Sequence, residues 1–140
     1  MSRFIPVLVF GLVAAISQAR AAESTAIYSD ACLHGESGDL VGVRIAVMRL
    51  GDAPYFFVQW AEGARFGEPE MNKLSPEDLS KGKLNFAIRN GQNPARFTGR
   101  ITEKAITGRF DNKGLMRDLG AKILNLPRVS LSQKTYDSCR

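Results

Sequence analysis

Apolar and polar residues alternate along much of this chain. Within Leu40–Leu50, Val41, Val43, Ile45 and Val47 recur at every second position, and Phe56, Val58 and Trp60 do the same after Tyr55. A period of two sends successive side chains to opposite faces of a strand. The two runs therefore predict a β-hairpin turning through Gly51-Asp52-Ala53-Pro54, with Ile45 opposite Trp60 and Val47 opposite Val58. The reverse face collects Ala46, Met48, Leu50, Tyr55, Phe57 and Gln59. It is unusually apolar for a solvent face, so residues 61–83, the C-terminal segment or a partner should cover it.

The stretch RFTGRITEKAITGRF, residues 96–110, reads nearly the same from both ends. Pairing Ile101 with Ile106, Gly99 with Gly108 and Phe97 with Phe110 puts those six on one face. Arg96, Thr98, Arg100, Thr107 and Arg109 take the other. Thr102–Ala105 forms the loop. Facing glycines let strands coil sharply or admit a large side chain such as Trp60, and close approach to a ligand is the alternative. Leu84, Phe86 and Ile88 alternate with Asn85, Ala87 and Arg89, predicting a strand that turns through residues 90–94 into this hairpin.

The segment 61–83 reads as a long polar loop. Within it Ser75 fits an N-cap followed by proline, predicting one helical turn over Pro76–Ser80. Near the end, Lys122–Leu126 reads as a closing strand stopped by Pro127. A short helix striped by Leu115, Met116, Leu119 and Ile123 is the alternative, and Gly120 weighs against it. The expected fold is all-β and mainly antiparallel: a small barrel or sandwich of about six to eight strands with one short helical turn.

Ahead of this pattern, Arg3 precedes an apolar run from Phe4 to Ile16, and small residues end at Ala19-Arg20-Ala21. That is the layout of a secretory signal peptide over residues 1–21, leaving 22–140 as a single β-barrel domain. The run of about 13 residues is short for a membrane span, so no stable anchor is expected after cleavage. The destination is the periplasm or the exterior. Arg3 and Arg20 leave with the leader, so the whole-chain charge of +5 falls to about +3, which argues against nucleic acid as a partner. Two cysteines remain, Cys32 and Cys139, and in an oxidising compartment they are expected to form one disulfide closing almost the whole mature chain.

Candidate chemistry is sparse. His34 is the single histidine, which excludes a second histidine for a common zinc set and leaves any histidine base in a loop beside Cys32. Ser80-Lys81-Gly82-Lys83 matches S-x-x-K, but Gly82 makes it a poor helix for lysine activation. Glu68 and Glu70, or Glu77 and Asp78, lie in polar loop sequence where carboxylates are solvated. Asp30, Glu36 and Asp39 follow no calcium-loop spacing. No catalytic residue, metal site or cofactor is expected.

Two weak resemblances accompany this reading. Phe97-x-Gly99-x-Ile101 followed by Ile106-x-Gly108-x-Phe110 resembles hairpins of small secreted calycin-like or lipocalin-like barrels, which implies the fold. Glu62-Gly63-Ala64-Arg65-Phe66 resembles the S-G-x-[KR]-[YF] loop of bacterial C-type lysozyme inhibitors, which implies a loop that enters a partner's cleft. Glu62 stands where that loop carries serine, and a carboxylate there would repel the lysozyme carboxylates.

The function these features favour is non-enzymatic binding of a protein partner, of the inhibitor or toxin-immunity kind. The candidate contact residues are Met48, Leu50, Tyr55 and Phe57 on the apolar face, Glu62, Arg65 and Phe66 on the loop, and Arg96, Arg100 and Arg109 on the cationic stripe, whose fit is an acidic protein or a glycan. A carrier of a small apolar ligand, held around Trp60, Phe86 and the glycine pair, is the alternative.

Overall fold

The computed structural model describes residues 25–51, 53–90, 93–111 and 123–139. The expected leader and the segment 115–122, read as helix or strand, lie outside them. Among the described residues, nine strands share one antiparallel sheet: β1 (Thr25–Ser29), β2 (Cys32–Leu33), β3 (Leu40–Leu50), β4 (Ala53–Gly63), β5 (Glu70–Lys73), β6 (Lys83–Asn90), β7 (Asn93–Ile101), β8 (Ala105–Asp111) and β9 (Leu124–Val129). One helix, α1 (Pro76–Ser80), links β5 to β6. The ladder runs β5-β4-β3-β1-β9-β8-β7-β6, with β2 added to β3. Its two ends, β5 and β6, come back into contact, so the sheet curls into a nearly closed barrel.

Alternation decides which side chains fill it. Val43, Ile45, Val47, Phe56, Val58, Leu84, Phe86, Ile88, Phe97, Ile106, Phe110, Leu124 and Leu126 all point inward and are buried. A chain of rings crosses the interior: Phe56 to Phe86 at 6.0 Å, Phe86 to Phe97 at 5.0 Å, Phe97 to Phe110 at 4.9 Å and Phe110 to Trp60 at 4.8 Å between centroids. Each fully buried side chain of this kind contributes about 1.5–3 kcal/mol.

The β7–β8 hairpin has the register its near-palindrome implies, with Ile101 opposite Ile106, Gly99 opposite Gly108 and Phe97 opposite Phe110. The glycine gap is filled by a different ring from the one expected. A Cβ on Gly108 would meet Phe97 Cζ at 2.5 Å, and one on Gly99 would meet Phe97 Cε1 at 2.7 Å. Phe97 therefore folds over the glycines of its own hairpin, while Trp60 packs on Phe110.

The β3–β4 hairpin keeps its expected faces but not its expected register. Val43 faces Trp60, Ile45 faces Val58, Val47 faces Phe56, and the ladder continues to Leu50 opposite Ala53. The turn thus falls between Leu50 and Ala53, with Gly51 at φ 60°, the positive value that a tight hairpin turn requires. Pro54 lies inside β4, opposite Arg49. The two-residue shift leaves the inside and outside sets unchanged because the side-chain period is two.

Alternation in β3 breaks at Gly42, where φ is 123°. Leu40 is buried as a result, while Val41, expected on the core face, is half-buried. A Cβ at Gly42 would stand 2.8 Å from Ala31 Cα, so only glycine lets β3 approach this bend. Side chains mend the ladder where β1 gives way to β2: Val43 N donates to Asp30 Oδ1 at 2.7 Å, and Ser29 Oγ donates to the Val43 carbonyl at 3.0 Å.

Two further expectations are corrected. The segment 61–83 is not simply a loop, because Glu70–Lys73 pairs with β4. Pro127 does not end β9, which continues to Val129. Proline is tolerated there because Pro127 is the last residue paired to β8, and pairing to β1 begins at Arg128. The helical turn stands as expected, with Ser75 Oγ accepting from Asp78 N at 3.0 Å.

Cys32 and Cys139 form the expected disulfide, with Cα atoms 5.0 Å apart and 107 positions between them in sequence. Leu33 N donates to the Asp137 carbonyl and Cys139 N to the Leu33 carbonyl, both at 2.8 Å, so the tail runs beside β2 as a short parallel bridge.

Candidate functional site

The outward side chains divide the barrel into two unlike faces. On the half formed by β9, β1, β3, β4 and β5, one row of direct cross-strand partners reads Val129, Ile27, Ala46, Phe57 and Met71. The row above it reads Thr25, Met48, Tyr55 and Lys73. At about 4.8 Å per strand, the first row is an apolar band about 20 Å long. Met48, Tyr55 and Phe57 are half-buried, and Leu50 and Met71 are 47% and 60% exposed.

The next row down is covered by the protein itself. Arg44 Nη2 donates to Gln59 Oε1 at 2.7 Å, and its guanidinium lies 3.9 Å from the centre of the Phe66 ring. Phe66 in turn meets Tyr136 edge-on at 6.1 Å. The loop after β4 and the C-terminal tail thus lie over one end of this outer face. The covering expected from residues 61–83 and the C-terminus reaches Arg44, while Ala46, Phe57, Met48 and Tyr55 in the neighbouring rows each keep part of their surface exposed.

This arrangement separates the candidate residues. Met48, Leu50, Tyr55 and Phe57 stand together, and Ile27, Met71 and Val129 join them from strands that sequence reasoning either did not single out or ended too early. Phe66 is committed to Arg44 and Tyr136, so the ring of the Glu62–Phe66 loop packs on its own barrel. Arg65 is exposed, and Glu62 pairs with Val41 in the backbone ladder.

Arg96, Arg100 and Arg109 are exposed on the other half of the barrel, formed by β6, β7 and β8. Arg100 stands directly opposite Lys83 on one side and Thr107 on the other, Arg109 is opposite Thr98, and Arg96 is opposite Asp111. Like charges facing each other across a ladder are mildly destabilising. Among the described side chains of β6, β7 and β8, the four cations Lys83, Arg96, Arg100 and Arg109 stand against the single carboxylate of Asp111, and these strands are not among those of the apolar half.

The remaining polar candidates are engaged locally. Ser75 and Asp78 cap α1, Ser80 Oγ donates to the Glu77 carbonyl, and Lys81 pairs with Glu77. His34 is exposed in the turn before β3. Among the described residues, no group of three or more His, Cys, Asp or Glu is placed to hold a metal, and no helix is long and apolar enough to cross a membrane.

No family model matches the chain, no curated protein matches it in sequence, and no solved structure matches it at a significant level.

Proposed function

We propose that this is a non-enzymatic binding protein of the periplasm or exterior, of the inhibitor or immunity kind, that holds a protein partner on the outer face of β9-β1-β3-β4-β5. The observation that carries this reading is the apolar row Val129–Ile27–Ala46–Phe57–Met71, continued by Met48, Tyr55 and Leu50. An apolar band of this length, partly exposed beside a part that the chain covers with its own loop and tail, is the composition of an interface centre. Aromatic and methionine side chains dominate such centres because they desolvate large areas at small entropic cost. The disulfide, the secretory pattern of residues 1–21 and the calycin-like hairpin all suit an exported, rigid scaffold.

The carrier reading is less favoured. The space around Trp60, Phe86 and the glycine pair, where its ligand would sit, is occupied by packed rings.

The test is recovery of a partner by the oxidised protein from its own host's extracytoplasmic extract, in parallel with a Tyr55→Ser/Phe57→Ser variant and an Arg96→Gln/Arg100→Gln/Arg109→Gln variant. A stoichiometric protein retained by the parent and the arginine variant, and lost by the Tyr55/Phe57 variant, is expected. A partner lost only with the arginines moves the interface to the other half of the barrel, and retention by the parent and both variants removes both faces.

A further inference from the structure

One end of the barrel carries a feature that the outer faces do not use. Ala26, Tyr28 and Val47 point inward near the start of β1, with Ala26 opposite Val47 and Tyr28 opposite Arg128. The same alternation gives Arg49 on β3 and Arg128 on β9 the inward parity at this end of the barrel, where both side chains are exposed at the rim rather than buried in the core. A cavity of about 620 Å³ opens there, lined by Arg49, Arg128 and Tyr28 and by the apolar Ala26, Leu79 and Ile101. Among the described residues, neither guanidinium is in an ion pair.

The walls are fixed. Arg128 N donates to the Lys104 carbonyl at 2.7 Å, which ties β9 to the β7–β8 loop. Tyr28 is 3% exposed, and its hydroxyl donates to the Thr102 carbonyl at 2.9 Å, making the phenol the floor of the cavity. Leu79 and Ile101 pack against the core, so the apolar side of the cavity is anchored from beneath.

We propose that this cavity binds a small amphipathic organic anion, with its carboxylate or phosphate held by Arg49 and Arg128 and its apolar body laid against Ala26, Leu79 and Ile101. Guanidinium groups pair with planar or tetrahedral oxyanions through two hydrogen bonds each. The volume lies in the range of small-molecule sites, which combine apolar walls with a few placed polar groups. Glu103 also lines the cavity. Its single carboxylate against two guanidiniums leaves the mouth with a net positive charge, which favours an anionic head group. The inference is independent of the outer-face reading, because none of these residues belongs to the apolar row.

The test is calorimetric titration of the oxidised protein with octanoate, octyl phosphate, octanol and inorganic phosphate. Saturable binding of octanoate or octyl phosphate is expected, and the tighter of the two identifies the head group. Octanol and inorganic phosphate should each bind about tenfold or more weakly, because each lacks one half of the recognition. An Arg49→Gln/Arg128→Gln variant should lose at least about tenfold in affinity with its melting unchanged, and Arg49→Lys/Arg128→Lys should recover part of the loss. The inference is overturned if neither amphiphile binds, if octanol or inorganic phosphate matches them, or if the glutamine variant binds as the parent does. Should the glutamine variant not fold, the comparison of ligands on the parent decides alone.

Discussion

The ring of Phe97 lies so close over Gly108 that a Cβ added there would meet its Cζ at 2.5 Å and the Gly99 Cα at 2.7 Å. Phe97 is fully buried between Phe86 and Phe110, so it has no free volume into which to retreat. Gly108→Ala should therefore lower stability by about 1–3 kcal/mol, the usual cost of overpacking a core. Chemical denaturation would measure it, with the exposed neighbour Thr107→Ala as a control expected within about 0.5 kcal/mol of the parent.

Asp30 supplies a side-chain acceptor for Val43 N at 2.7 Å where the β1 ladder breaks. Asp30→Ala leaves that amide without its partner and should cost about 1–3 kcal/mol. Asp30→Asn keeps a carbonyl oxygen at the same place and should cost clearly less. Equal losses in the two variants would show that the acceptor is not what matters there.

The bridge between Cys32 and Cys139 spans 107 positions. Closing so long a loop restricts the unfolded chain, and a Cys32→Ser/Cys139→Ser variant should unfold with a loss of about 2–5 kcal/mol. Alkylation of the folded parent without reductant should leave its mass unchanged. Partner capture at low temperature should persist in the serine variant, since both sulfurs lie away from the apolar row.

Tyr28 is predicted to make stability fall in strong base. Burial pushes its phenol above the ordinary value of 10.0, with Arg128 opposing and Glu103 reinforcing the rise. The folded state then holds this proton more tightly than the unfolded chain, so the contribution is complete below pH 10.0 and is lost as pH rises towards the folded value. Tyr28→Phe should lose about 1 kcal/mol at neutral pH through the missing bond to Thr102. It should also show a shallower decline than the parent above pH 10.0, measured as the difference between their pH–stability curves.

What could be read from the sequence followed from the strength of local alternation. The β7–β8 hairpin was legible to the residue because two glycines, two phenylalanines and two isoleucines pin a single register. The faces of β3 and β4 were legible, but Ala53 and Pro54 imitate turn residues, so the register came out two positions away. β5 was hidden because Met71 is its one apolar residue and its ladder partners lie on β4. The end of β9 was hidden because the penalty for Pro127 depends on which neighbour is paired at that position, which is a tertiary fact.

The candidate face was half legible for the same reason. Met48, Leu50, Tyr55 and Phe57 announce themselves by alternation, whereas Ile27, Met71 and Val129 acquire meaning only once β1, β5 and β9 are set beside them. Arg49 and Arg128 carry no sequence signal as a pair. Their common inward parity follows from registers that run from β9 through β1 to β3.

The seam between β1 and β9 also has a consequence for how the barrel assembles. β3 to β5 and β6 to β8 are built from hairpins between neighbours in sequence, which close short loops and form early. The β1–β9 ladder joins opposite ends of the described chain, so its loop-closure cost falls on one late step. A route on which that step comes last would leave the inward-parity arginines, the Phe ring chain and the outer apolar row exposed on two separate curved sheets. A circular permutant that joins the natural ends and opens the chain in the Thr102–Ala105 loop would make the seam local. It should fold with the two-sheet stage shortened or absent in stopped-flow traces.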